Sequence, residues 1–336
     1  MPFRLPDTYH QHMPKQKLRL LGDTMGLSPF PLRFRQALIT IRGEEDVPRS
    51  RFGLSSLSQL YPRIGMKLWR GKPYLKNTVI ISNLFNHTQT PIEDGWSVKK
   101  TQALDFRGRS LTYNSHNGTD FAIPVGSTVC TAAAGKVVAV LSQFNRGGLK
   151  IFIDHGNGLM TCYAHLAKSL VQPGDILRRG QAIALSGYSG IDGAVTFPFG
   201  IPHVHMNVWL NGEPVDPFAH GEKISMWRNG HMPSPAIEYS SDFLPSEYDT
   251  LRVNQAIAQC KTASVQQRIN ELLTEEEQAV QAIIEMNYYP TRFKQRVDVY
   301  KRKYARSAQL DLPFSSKEFK QVVFLDDLLN RAFGKN

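Results

Sequence analysis

The chain has 336 residues, 41% of them apolar and 21% charged, which is an ordinary globular composition with enough apolar residues for a sizeable core in two or three domains. No run approaches the ~18–20 apolar residues of a membrane span, and three cysteines, Cys130, Cys162 and Cys260, are too few and wrongly spaced for a disulfide framework or a cysteine–zinc site. The formal net charge is +11, and residues 1–100 carry most of it, with 16 Lys and Arg against 7 Asp and Glu.

The opening "MPFRLPDTYHQHMPKQKLRL" lacks the 7–15-residue apolar stretch of a secretory signal, so the sequence as given reads as cytoplasmic. Residues 1–75 form a basic N-terminal segment with a few short helices or strands. Between Asp46 and Glu93 there is no acid, but there are seven bases: Arg49, Arg51, Arg63, Lys67, Arg70, Lys72 and Lys76. Residues 49–76 are therefore a contact for an anionic polymer. Trp69 and Tyr74 lie among these bases, but no nucleic-acid motif accompanies them, so nucleic acid is set aside as a partner.

From about residue 76 to 220 short β-like runs alternate with Gly, Asn and Asp turns: "NTVIISNLF", "STVCTAA", "GKVVAVLSQ", "LKIFIDHGNGLMTCYAHL", "QAIALSG" and "HVHMNVWLNGEPV". Strands of this length and spacing predict an antiparallel sandwich or barrel. The Asn-Gly pairs in "HGNG" and "LNGEP" predict hairpins. "PVGSTVCTAAAGKVVAV" and "PGDILRRGQAIALSG" share one rhythm, which implies a duplicated motif of short strands.

Within this zone His116 and Asp120 lie four apart around Asn117-Gly118; a strand ending, a tight turn and a new strand would bring both side chains together. Strand alternation puts Thr161, Tyr163 and His165 on one face of "GLMTCYAHL", and His203 and His205 on one face of "PHVHMNVW". Two charged imidazoles side by side repel, and a cation beside them settles the arrangement. His155 belongs to a turn. His10, His12, His87, His220 and His231 stand in polar or loop-like contexts and read as incidental.

After Pro235 the pattern changes. Residues 236–336 form a helical C-terminal region: "VQQRINELLTEEEQAVQAIIEMNYY" has helical spacing, and "RFKQRVDVYKRKYARS" and "SKEFKQVVFLDDLLNRAF" read as further helices. The fold class is mainly β with this helical region, α+β overall.

His116, Asp120, His165, His203 and His205 occur in that order within 90 residues. With "HNGTDFAIPVGSTVC", "IDHGNGLMTCYAHL" and "GIPHVHMNVWLNGEPVDPF", they resemble the lysostaphin or LytM-type zinc endopeptidases over residues 76–220. The resemblance implies a duplicated hybrid motif fold and one Zn2+ held by His116, Asp120 and His205, with His165 and His203 as catalytic groups beside it. Two His and one carboxylate leave a fourth tetrahedral position open, the pattern of a catalytic zinc site. The implied function is hydrolysis of peptide bonds in peptidoglycan stem peptides or cross-bridges, with peptidoglycan or muropeptide as substrate and the cell envelope or periplasm as location. The alternative is a non-catalytic wall-binding, scaffold or activator protein built on the same β domain. Between "SGYSG" and "GIPHVH" stands "IDGAVTFPF", longer and more apolar than the short loop the resemblance implies.

Overall fold

A computed structural model describes residues 21–237, 240 and 242–332. Residues 1–20, which include His10 and His12, lie outside the described residues. The strands are β1 (Thr78–Asn83), β2 (Thr119–Ala122), β3 (Thr128–Cys130), β4 (Gly135–Gln143), β5 (Gly148–Asp154), β6 (Leu159–Ser169), β7 (Ile176–Leu177), β8 (Ala182–Ser186), β9 (His203–Leu210), β10 (Glu213–Pro214) and β11 (Gln321–Phe324). They join in one sheet whose main path runs β11-β1-β2-β9-β6-β5-β4-β7, antiparallel throughout except for the parallel β1–β11 pair. The helices are α1 (Leu21–Met25), α2 (Phe30–Arg42), α3 (Pro62–Trp69), α4 (Ile191–Thr196), α5 (Thr250–Ala258), α6 (Ala263–Asn270), α7 (Glu275–Tyr288) and α8 (Leu325–Ala332). Among the described residues no helix is long and apolar enough to cross a membrane.

Successive strand residues feed two cores on opposite faces of the sheet. Ile151 and Ile153 of β5, Tyr163 of β6 and Val204, Met206 and Val208 of β9 enter one core. Phe152, Met160, Cys162 and Trp209 enter the other, against Val253, Ile257, Val280, Ile283 and Ile284 of α5 and α7. α7 starts at a capping box in which Thr274 Oγ1 accepts the Glu277 N–H and Glu277 returns the bond to the Thr274 N–H. The β9–β10 hairpin turns on Asn211 and Gly212, both with positive φ (54° and 77°), as the Asn-Gly signal predicts.

Two expectations fail in the C-terminal region. The segment after the short 3-10 turn Pro290–Arg292 holds no helix until α8. Its backbone instead bridges to other segments, Tyr300 to Tyr248, Leu310 to Trp227, Leu312 to Pro235 and Phe314 to Val129. The neighbouring Val299 and Tyr300 are both buried, as an irregular packed segment allows and a one-faced surface helix does not require. Likewise "QVVF" is strand β11, where β-branched residues suit the pleated edge beside β1, and only the residues after it are helical.

Candidate metal centre

β2 and β9 pair so that Asp120 stands opposite His205 and Ala122 opposite His203. The pairing places Asp120, His203 and His205 on one face of the sheet. His116 lies in the loop before β2, just after a turn at Asn114-Ser115 closed by the His116 N–H on the Tyr113 carbonyl; the strand end at His116 and tight turn at Asn117-Gly118 expected from the sequence are not formed, and Asn117 and Gly118 simply lead the chain into β2.

Three donor atoms meet there. Asp120 Oδ1 is 2.7 Å from His205 Nδ1 and 3.1 Å from His116 Nε2, and the two ring nitrogens are 3.1 Å apart. All three residues are buried, His116 wholly so. The Leu84 carbonyl lies 2.6 Å from His116 Nδ1; a carbonyl only accepts, so Nδ1 carries the proton and Nε2 presents its lone pair inward. Asn83 Nδ2 donates to Asp120 Oδ2 at 2.9 Å and fixes the carboxylate's other oxygen. Burial acts to raise the Asp120 carboxyl, but the surrounding imidazoles of His116, His203 and His205, which favour its anion, outweigh it and hold the group well below the usual carboxylate range.

Such a trio fits a zinc ion on its donor chemistry: two imidazole nitrogens and one carboxylate oxygen, with lone pairs turned toward one another in a buried spot where a cation relieves their repulsion. Leu84 O and Asn83 orient two of the three in the way outer partners orient metal ligands.

His203 and His165 stand beside the trio. His203 Nδ1–H donates to the Ile201 carbonyl at 2.7 Å, and its Nε2 is 3.6 Å from Asp120 Oδ1. His165 Nδ1–H donates to the Ser189 carbonyl at 2.8 Å, and its ring centroid is 4.9 Å from that of His203. Burial, with the charge of His203 second, holds the His165 imidazole well below its ordinary value, so it is neutral. Tyr188 packs against both rings, at 5.3 Å from His165 and 4.8 Å from His203.

Strand alternation alone misplaces His165. Tyr163 points into the first core, where its hydroxyl accepts the Ala132 N–H at 2.9 Å, and strict alternation would send His165 the same way. Between Leu149 and Ile151 the pairing of β5 with β6 slips, so that β6 carries an extra residue. His165 sits in that bulge with φ of 60°, a left-handed conformation rare outside glycine, and the bend turns its ring to the face that holds His203 and His205.

A narrow cleft opens over the centre. Its walls come from distant parts of the chain: Thr40, Ser50 and Phe52 from the N-terminal segment, Ile191 and Asp192 from α4, and Asn287 and Tyr288 from the end of α7. The "IDGAVTFPF" stretch thus forms α4 and an aromatic corner, with Phe197 edge-on to Trp69 at 5.0 Å. Asn83, Tyr188 and the carbonyls of Leu84, Ser189 and Ile201 escape sequence reasoning, since backbone carbonyls carry no residue signature.

Residues 114–217 match the family described as Peptidase family M23. The peptidoglycan DD-endopeptidase ShyA of Vibrio cholerae is 36% identical over 151 residues, covering 44% of this chain and 32% of that protein. ShyB of the same organism is 40% identical over 102 residues, 30% of this chain and 22% of that protein. The chain therefore spans a third or less of the length of these relatives. A crystal structure of a zinc-containing peptidase from Vibrio cholerae is similar at 30% identity and a TM-score of 0.31, over 42% of this chain and 38% of that one.

Proposed function

We propose, from the premise that residues 114–217 form a peptidase family M23 domain, that the chain is a zinc-dependent endopeptidase that hydrolyses peptide bonds in peptidoglycan stems or cross-bridges. The observation that carries this reading is the meeting of His116 Nε2, Asp120 Oδ1 and His205 Nδ1 at one buried point, with two further imidazoles at its edge. The DD-endopeptidase names of the two Vibrio relatives support a wall peptide as the substrate.

His116, Asp120 and His205 would hold the ion. Zinc, when bound, supplies Lewis-acid polarisation of the scissile carbonyl and acidification of water. Both His165 and His203 commit Nδ1–H to a backbone carbonyl, which leaves Nε2 of each for the reaction. One accepts a proton from the attacking water, and the other, protonated, hydrogen-bonds the oxygen on which negative charge develops. Tyr188 keeps the two rings at their mutual angle of 72°.

An anionic wall polymer would lie along α3 and the turn after it, where Arg63, Lys67, Arg70, Lys72 and Lys76 are exposed. This substrate places the site of action at the cell envelope. The deciding experiment is mass spectrometry of products from purified peptidoglycans of several cross-bridge types, incubated with zinc-loaded protein. Release of muropeptides cut at one bond type supports the reading. Binding to the wall without cleavage, at full zinc occupancy, overturns it in favour of a scaffold.

A further inference from the structure

We infer that His87, Asp216 and His220 form a second divalent-cation site, separate from the first and suited to zinc. One donor atom from each lies within 4.8 Å of the other two. His87 Nε2 is 2.7 Å from Asp216 Oδ2, and the two imidazoles meet edge to face at 4.4 Å between centroids.

His220 and Asp216 are oriented as ligands, and an ion would displace the proton that His87 Nε2 shares with Asp216 Oδ2. His220 Nδ1 lies 3.0 Å from the Phe218 carbonyl, so it carries the proton and leaves the lone pair on Nε2. Asp216 Oδ1 accepts the Phe218 N–H at 3.0 Å, which turns Oδ2 toward His87. The Asp216 side chain is 1% exposed and that of His87 27%, so a buried carboxylate is paired with an imidazole that solvent reaches. Two nitrogens and one oxygen suit zinc, cobalt or nickel better than magnesium or calcium, which prefer all-oxygen sites. Arg306, whose Nη2 donates to the Phe218 carbonyl, and Lys223, bridged to His220 through the backbone, add positive charge nearby. They make this site weaker than the first.

The site is tied to the first centre by one loop. Residue 84 supplies the carbonyl that orients His116, the Asn86 N–H donates to the His116 carbonyl at 2.9 Å, and His87 follows directly. An ion on His87 would hold that loop from its other side.

The test uses the full chain, stripped of metal and titrated with Zn2+ alone, with native mass spectrometry as the readout. Two zinc ions per chain are expected, falling to one in His87→Gln and in His220→Gln, both of which leave the first centre's donors in place. In a His205→Ala background, zinc should still raise the melting temperature, and adding His220→Gln should abolish that rise. Saturation of the wild type at one zinc would overturn the inference. So would a second zinc that survives both His87→Gln and His220→Gln, or a melting temperature in the His205→Ala background that zinc does not move.

Discussion

Gly118 and His205 approach so closely that a Cβ on Gly118 would stand 2.7 Å from both Cε1 and Nε2 of the imidazole and 2.7 Å from the Met206 carbonyl oxygen. The Met206 carbonyl is backbone in β9 and cannot yield, so the His205 ring must, although it is hydrogen-bonded to Asp120. Gly118→Ala is therefore expected to tilt His205 away from the trio, weaken zinc binding at least ~10-fold and destabilise the fold by roughly 1–3 kcal/mol. Zinc titration against a competing chelator and urea unfolding check both.

Asn83→Ala removes the donor to Asp120 Oδ2 and leaves a buried carboxylate oxygen without its partner. Zinc affinity is expected to fall roughly 10–100-fold, the usual consequence of losing an outer partner. Asn83→Asp should be worse, because it sets a second negative charge against the first. Zinc content after dialysis ranks the three proteins.

His165→Ala and His203→Ala are each expected to lower kcat on a wall peptide by roughly 10²–10⁴ while zinc stays at one ion in the first centre. The measurement pairs activity with metal analysis on the same sample. If either variant sheds that zinc, the residue is a ligand and its assignment fails.

Lys150 gives a pH signature of stability. Its ammonium is buried, donates to Gln143 Oε1 and the Arg146 carbonyl, and lies 4.1 Å from the centre of the Tyr288 ring. Burial pushes it from 10.5 down to about 7. Between those values the unfolded chain binds more protons than the folded one, so stability rises with pH, by at most ~1.4 kcal/mol per unit. The opposite sign enters at higher pH, where burial keeps the Cys162 thiol protonated up to about 12. Urea midpoints should therefore climb from pH ~7 to ~8.5 in the wild type and climb less in Lys150→Met.

The pairing of His203 with His205 is legible because strand alternation survives folding. A tight turn at Asn117-Gly118 is the sequence's expected means of bringing His116 to Asp120, but the turn lies at Asn114-Ser115 and an irregular loop brings the imidazole in. The face taken by His165 is not legible, since the bulge that turns it is defined by pairing with β5, which no local pattern records. The same holds for His87 and Asp216, which are 129 residues apart in the chain and meet only once the loop after β1 folds against the end of β10. The C-terminal segment misleads for a related reason. Its charged residues imitate an exposed helix face, while its backbone bonds are taken by remote segments.

The parallel pairing of β11 with β1 has a bearing on biogenesis. β1 delivers Asn83 to Asp120 and leads directly into the Leu84 carbonyl that steadies His116, yet its outer edge is sealed by residues 321–324. A nascent polypeptide still on the ribosome lacks that seal, and its open edge would fray next to two supports of the zinc ligands. The supports of the metal centre should therefore be complete only once residues 321–324 have been made and have paired with β1.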